Sequence, residues 1–107
     1  GGADAYRNAS FTEANAKASA GTLSAIVVVN TNAAVRYIQL YNTSSTPTNG
    51  SSTVIFTFPL AAFDNKFFEF GPTGLALGTG ISFGCTTDLA GSTDASAGDC
   101  VVNAVYK

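Results

Sequence analysis

The stretches TLSAIVVVNT (residues 22–31) and VRYIQLYN (residues 35–42) decide the fold class of this chain. Both are rich in β-branched and aromatic residues, which favour strands. The second stretch alternates with a period of two, which places Tyr37, Gln39 and Tyr41 on one face of a strand. The first stretch is apolar on both faces, and this pattern predicts a central strand of a sheet.

The rest of the chain repeats this pattern in short pieces. Strands are predicted at residues 16–20, 22–31, 35–42, 52–58, 66–70, 75–79, 81–87 and 100–106. Seven or eight strands at spacings of about 8–12 residues predict an antiparallel β-sandwich, either jelly-roll-like or immunoglobulin-like. We expect a single domain over residues 16–107. For the alanine-rich residues 14–20 a helix is the alternative.

Proline and glycine punctuate the predicted strands. Pro59 is expected to end its strand, because proline cannot donate a hydrogen bond to a sheet ladder. The stretch FGPTGL (residues 70–75) is expected to form a structural corner. Its glycines stand where a positive φ is needed, and its proline fixes φ.

Residues 1–15 (GGADAYRNASFTEAN) follow neither strand nor helix periodicity. They are therefore predicted to form an extended N-terminal arm outside the core. Tyr6 and Phe11 are isolated aromatics on this arm, and we expect them to anchor it in a neighbouring subunit. The alternative is a terminus that folds back on its own domain.

The chain has two cysteines, Cys85 and Cys100, and each borders a predicted strand. A loop of small polar residues lies between them, so a disulfide could join two adjacent strands at their shared end. Closing that loop would stabilise the fold by roughly 3 kcal/mol and implies an oxidising environment. A metal site is not expected, because two thiols without histidine leave the ligand set incomplete.

The composition excludes several classes of function. The chain has no histidine, and five Lys or Arg stand against seven Asp or Glu, giving a net charge of −2. A Ser-His-Asp triad and a Cys-His pair are therefore excluded. Five scattered basic residues do not make a nucleic-acid surface, and the longest apolar run, residues 25–29, is too short to cross a membrane. We expect no catalytic residue, no cofactor and no enzyme activity.

The acidic residues could in principle supply a glycosidase pair or a calcium site. They are Asp64, Glu69, Asp88, Asp94 and Asp99. Glu69 stands between phenylalanines, and the last three lie in a loop that lacks the calcium-binding spacing. Solvation is the preferred interpretation of all five.

One strand carries residues suited to contact with a partner. Arg36, Tyr37, Gln39 and Tyr41 combine aromatic rings, an amide and a charge. Such residues bury against another subunit or stack on sugars; the alternative is packing within the sandwich. Together with Tyr6 and Phe11 they form the candidate interface.

Several short motifs, taken in order, resemble one family. They are ASAGTL (residues 18–23), YIQLYN (37–42), FPL (58–60), FGPTGL (70–75), TGI (79–81) and the terminal VYK (105–107). This order resembles the small β-sandwich structural proteins encoded in tailed-phage morphogenesis regions, over about residues 16–107. The resemblance implies a non-enzymatic virion component, placed on either the capsid or the tail, and transfers no catalytic residue.

The function expected from the sequence is that of a capsid decoration, or cement, protein on the virion surface. Its partners would be the major capsid protein or other virion proteins, and the chain would be a homo-oligomer, with a trimer favoured. The alternative is a tail-fibre or adhesin module that binds host glycans through Tyr37, Gln39 and Tyr41. A third option is a subunit of an extracellular filament whose arm acts as a donor strand.

Overall fold

The structure is a computed structural model that describes residues 3–107. These residues form nine strands: β1 (Asp4–Asn8), β2 (Glu13–Lys17), β3 (Gly21–Asn30), β4 (Arg36–Tyr41), β5 (Val54–Leu60), β6 (Asn65–Glu69), β7 (Leu75–Leu77), β8 (Ile81–Thr86) and β9 (Cys100–Tyr106). All their pairings are antiparallel. No helix in this part of the chain is long and apolar enough to cross a membrane.

The strands divide between two sheets that pack face to face. The first sheet has the order β1-β9-β3-β6, with β7 also paired to β3, and the second has the order β2-β8-β4-β5. Apart from β7, successive strands at each end of the chain alternate between the sheets, which is the arrangement of a jelly roll. The predicted all-β antiparallel sandwich is therefore confirmed, and its topology is jelly-roll-like.

The core between the sheets comes from residues that alternate along the strands. In β9 the side chains of Cys100, Val102 and Ala104 are buried, whereas Val105 is exposed. Large side chains of both sheets meet in the core, as where the rings of Phe58 and Phe68 lie 4.8 Å apart. This packing supplies the apolar burial that stabilises the fold.

Strand β3 is central, as predicted, with β9 on one side and β6 and β7 on the other. Its side chains do not alternate strictly between the two faces, because the register shifts between Leu23 and Ala25. A bulge of this kind adds one residue and changes which face the following side chains occupy. Consequently Leu23 and Ile26 are both buried in the core.

The N-terminal segment differs from the predicted arm. Residues 4–8 form β1, which pairs with β9, and residues 13–17 form β2, which pairs with β8. Phe11, between them, is only 3% exposed. The prediction of an arm outside the core is thus wrong for these residues, because backbone pairing holds them without an apolar pattern in sequence; residues 1 and 2 lie outside the described part.

The predictions for Pro59 and for the corner at residues 70–75 have different outcomes. Gly71 and Gly74 have φ values of 78° and 74°, so the predicted corner is confirmed. Pro59, however, does not end its strand: it lies within β5 and pairs with Tyr37. Since β5 is at the edge of its sheet, proline there need not remove a bond from the sheet ladder.

The predicted disulfide is present between Cys85 and Cys100, and both residues are fully buried. Its position differs from the expectation of two adjacent strands. Cys85 lies in β8 of the second sheet and Cys100 opens β9 of the first sheet. The bond therefore ties the two sheets together across the core.

Candidate interaction surface

The candidate residues on β4 lie on the outer face of the second sheet, but two of them are not accessible. Gln39 and Tyr41 are both 0% exposed. The chain between β4 and β5 and the chain between β8 and β9 fold over this face and cover it, as their hydrogen bonds with both residues show. We call it the covered face. The expectation that these two side chains contact a partner is therefore wrong.

Gln39 is held from both sides by hydrogen bonds. Its Nε2 donates to Thr86 Oγ1 at 3.1 Å, and its Oε1 accepts from Thr57 Oγ1 at 2.5 Å. Gly91 lies directly over the amide with a φ of 77°, and a Cβ there would be 3.0 Å from the Gln39 side chain. A left-handed glycine thus allows the covering loop to approach closely.

Tyr41 is held through Asn49. The tyrosine hydroxyl donates to Asn49 Oδ1 at 2.6 Å, and Asn49 Nδ2 donates to Asp94 Oδ1 at 2.9 Å. The backbone N–H of Asn49 donates to Glu13 Oε2 at 3.0 Å. Burial, followed by the nearby carboxylates of Glu13 and Asp94, raises the pKa of Tyr41 to about 12. The phenol therefore stays protonated near neutral pH and serves as a donor within the fold.

Arg36 and Tyr37 are the two β4 candidates that keep some exposed surface. The Arg36 Nε donates to Asp99 Oδ2 at 2.9 Å, which also forms a salt bridge. The hydrogen bond from Arg36, supported by one from Asn32, lowers the pKa of Asp99. Arg36 therefore links β4 to the loop before β9.

Tyr6 and Phe11 point into the molecule to which they belong. The Tyr6 ring packs on the core, with its centroid 6.4 Å from that of Phe83, and its hydroxyl accepts a hydrogen bond from Asn8. Phe11 belongs to the core itself. The structure therefore does not bring the six predicted residues together on one surface, and in it the two aromatics anchor the N-terminal segment to its own domain.

The surface that sequence analysis missed is the outer face of the first sheet. Val27, Phe67 and Val105 are 36%, 61% and 42% exposed there. Strand register places the smaller Ala5 and Ala25 beside Val105 on the same face. Arg7, Asn103 and Glu69 complete it, and we call these eight residues the open face. Together with neighbouring backbone, most of them line a groove of about 400 Å³.

A signal for the open face was present in the sequence. Both faces of β3 are apolar, which indicated a strand central in its sheet. One of these faces packs in the core, while Ala25, Val27 and Val29 lie on the other, where no second layer of the described chain covers Val27. A strand that is apolar on both faces thus indicated an apolar face that residues 3–107 leave partly exposed.

The other exposed large apolar side chains lie elsewhere, and two of them, Val35 and Leu89, are in loops between strands. Ile55 and Phe56 are about half exposed on the edge strand β5, and Phe63 is 67% exposed in the turn before β6. Phe63 has a φ of 56°, which is uncommon for a residue with a Cβ. These positions are single side chains at an edge, in a turn or in loops, whereas the open face is a continuous area of sheet.

The acidic residues serve structural roles. Asp88 accepts hydrogen bonds from the backbone of Ser92 and Thr93 and from the Ser92 hydroxyl, and the last of these contributes most to lowering the pKa of Asp88. Asp94 and Asp99 are bound to Asn49 and Arg36 as described. In residues 3–107 there is no group of three His, Cys, Asp or Glu side chains that could hold a metal ion.

Comparison with known proteins gives no family. No protein-family model matches the chain, and no curated protein is similar to it in sequence. Among solved structures, the Tobacco streak virus coat protein is 7% identical with a TM-score of 0.46, covering 98% of this chain and 85% of that one. A fucose-binding module of Streptococcus pneumoniae is 14% identical with a TM-score of 0.45, covering 96% and 72%.

A third solved structure, FlgD from Xanthomonas campestris, is 16% identical with a TM-score of 0.38, covering 92% of this chain and 68% of that one. Likeness of this degree does not indicate a shared function.

Proposed function

We propose that this chain is a non-enzymatic structural protein of a tailed-phage virion, a decoration or cement protein that binds the outside of the capsid and stabilises it. The observation that carries the proposal is the open face. An apolar area of sheet, with Phe67 61% exposed at its margin, lies open on the first sheet, whereas loops of the chain cover the outer face of the second sheet. The largest contiguous apolar patch of a small domain is often a functional surface.

The fold is compatible with more than one class of function. Jelly rolls build viral capsid domains and lectin domains alike, and function has to be argued from the site. A glycan site needs polar groups and an aromatic ring that reach solvent. Here Gln39 and Tyr41 are fully buried, so the glycan-binding alternative loses two of its three residues. The accessible surface supports burial against protein instead.

The interior suits a protein that works outside a cell. The disulfide joins the two sheets, and within residues 3–107 every buried side-chain nitrogen and oxygen has a hydrogen-bond partner. Such a domain resists local opening. This supports a place on the virion surface, with the major capsid protein as the partner. The filament option has less support, because the segment expected to act as a donor strand is paired within its own chain.

The test is association with particles. Particles purified from the source of the chain should contain it at a fixed ratio to the main shell protein, as measured by quantitative mass spectrometry. Shells assembled without it should disrupt at a lower temperature, and adding the purified chain should restore the higher temperature. Excess unlabelled chain should displace labelled chain, which controls for non-specific adsorption. Absence from particles, or no effect on the shells, overturns the proposal.

A further inference from the structure

The strand register arranges the open face as a small grid. Two rows run across the four strands: one of Ala5, Val105, Ala25 and Glu69, and one of Arg7, Asn103, Val27 and Phe67. Each row therefore begins on β1 and ends on β6. The middle of the face is small or aliphatic except for Asn103, and its charges stand at the margins.

The two charges lie at opposite margins. Arg7 is on β1 and Glu69 is on β6, three strand spacings away, which is about 14 Å. They do not pair with each other, and the salt bridge found within residues 3–107 is Arg36–Asp99. A face that is positive at one side and negative at the other is complementary to its own image rotated by half a turn.

The shape of the face has the same property. Phe67 stands exposed at the β6 margin. Nearer the middle, the larger Val105 on β9 stands beside the smaller Ala25 on β3, and both line the groove. When two copies meet about a twofold axis between these strands, Val105 of each copy lies over Ala25 of the other, where the short side chain leaves space.

We propose that the open face docks on the open face of a second copy of this chain, about a twofold axis parallel to the strands and between β9 and β3. In this arrangement β1 of each copy lies opposite β6 of the other. Phe67 then packs on the aliphatic stem of the partner's Arg7, beside the groove. Arg7 and the partner's Glu69 are one row apart, about 7 Å along the strand, within reach of the arginine side chain. This pairing would occur twice.

This inference rests on the proposed role as an assembly subunit, and it names a second copy as the partner of the open face in the free protein. The dimer has to separate before the same face contacts the shell. A twofold pair differs from the trimer favoured by sequence, because one face that meets itself makes an isologous contact. Four strands about 4.8 Å apart and about five residues long give a flat footprint on the order of 300 Å². That is below the roughly 800 Å² per partner of a standard stable interface. The dimer is therefore weak and dissociates on dilution.

The test uses the purified chain without particles. Sedimentation equilibrium from about 10 µM to about 1 mM should show a monomer–dimer equilibrium. Phe67→Ser should weaken dimerisation at least about tenfold, because it removes the largest apolar side chain of the interface from both copies. Leu89→Ser is the matched control: Leu89 is 64% exposed in the loop over the covered face, and its replacement should leave the equilibrium unchanged. Thermal unfolding of each variant shows that it remains folded.

Charge exchange tests the orientation. Arg7→Glu alone and Glu69→Arg alone should each weaken the dimer, because each places like charges together across the interface. The double variant should recover most of the wild-type association. A monomer at all concentrations overturns the inference. A dimer whose stability is unchanged by Phe67→Ser and by the charge substitutions also overturns it. If the dimer forms but the chain is absent from particles, the proposed function is overturned, whereas the assignment of the open face as a dimer interface stands.

Discussion

The hydroxyl of Tyr41 donates a 2.6 Å hydrogen bond to the side-chain oxygen of Asn49, and this bond fastens the loop before β5 onto β4. Asn49 in turn reaches Thr12 and Asp94 through its amide nitrogen. One asparagine therefore links three separate segments over the covered face. These bonds explain why Gln39 and Tyr41 of β4 are buried within the domain although they resemble contact residues.

Tyr41→Phe should lower the free energy of unfolding by about 1–2 kcal/mol, because a buried acceptor on Asn49 loses its donor. The matched control is Tyr37→Phe, at a neighbouring and partly exposed position of the same strand, for which the change should stay under about 0.5 kcal/mol. Urea unfolding followed by circular dichroism measures both. Equal effects would show that the buried Tyr41 hydroxyl adds no more stability than the partly exposed Tyr37 hydroxyl.

Gly84→Ala should destabilise the domain by about 1–3 kcal/mol, because the added methyl group would overpack a buried site. A Cβ there would collide with the Asn49 amide and approach the Tyr41 ring to 3.0 Å. Gly78→Ala is the control, since nothing lies within 4 Å of a Cβ at that glycine. The melting temperature of the Gly78 variant should match or slightly exceed wild type, and a tolerated Gly84→Ala would contradict the close packing of the loop.

The Cys85–Cys100 bond should resist reductant while the protein is folded, because both residues are fully buried. Alkylation and mass spectrometry should detect free thiols only when denaturant accompanies the reductant. Replacing both cysteines by alanine should lower the free energy of unfolding by about 3 kcal/mol. Native protein with two free thiols would show that the bond does not form.

The salt bridge between Arg36 and Asp99 predicts a loss of stability in acid. The hydrogen bond from Arg36 holds the pKa of Asp99 below its unfolded value of about 3.9. The ionised carboxylate thus stabilises the fold above about pH 4, and this contribution disappears as the pH falls through the folded pKa. Asp99→Asn should be less stable than wild type at pH 7 and lose less stability on acidification. Asp4→Asn, on the exposed edge strand, should follow wild type, and identical acid profiles for all three would contradict the prediction.

Features of the fold could be predicted where they depend on a local sequence pattern, and not where they depend on pairing with distant strands. Alternation within residues 35–42 and 100–106 was strong enough to identify β4 and β9, and the flanks of the two cysteines were enough to pair them. The bulge after Leu23 could not be foreseen, because it depends on the register with β9. Strand β1 was missed, and the strand predicted at residues 16–20 begins three residues earlier as β2, because the polar sequences of both are ordered by partners far along the chain.

The site was harder to predict for a related reason. Tyr41 and Gln39 look like contact residues in a strand considered alone, and only the position of Asn49 and Gly91 in distant loops shows that they are buried. The open face is the opposite case, because its residues come from four strands and no short stretch of sequence contains more than two of them.

The pairing of β1 with β9 also has a consequence for biosynthesis. Residues 4–8 leave the ribosome long before residues 102–106, their partners in the sheet. The first strand therefore has no edge to join until the last strand has been made, and contacts so distant in sequence form slowly. Folding of this domain is completed only after β9 has been made, and until then the edge of β3 that pairs with β9 has no partner strand.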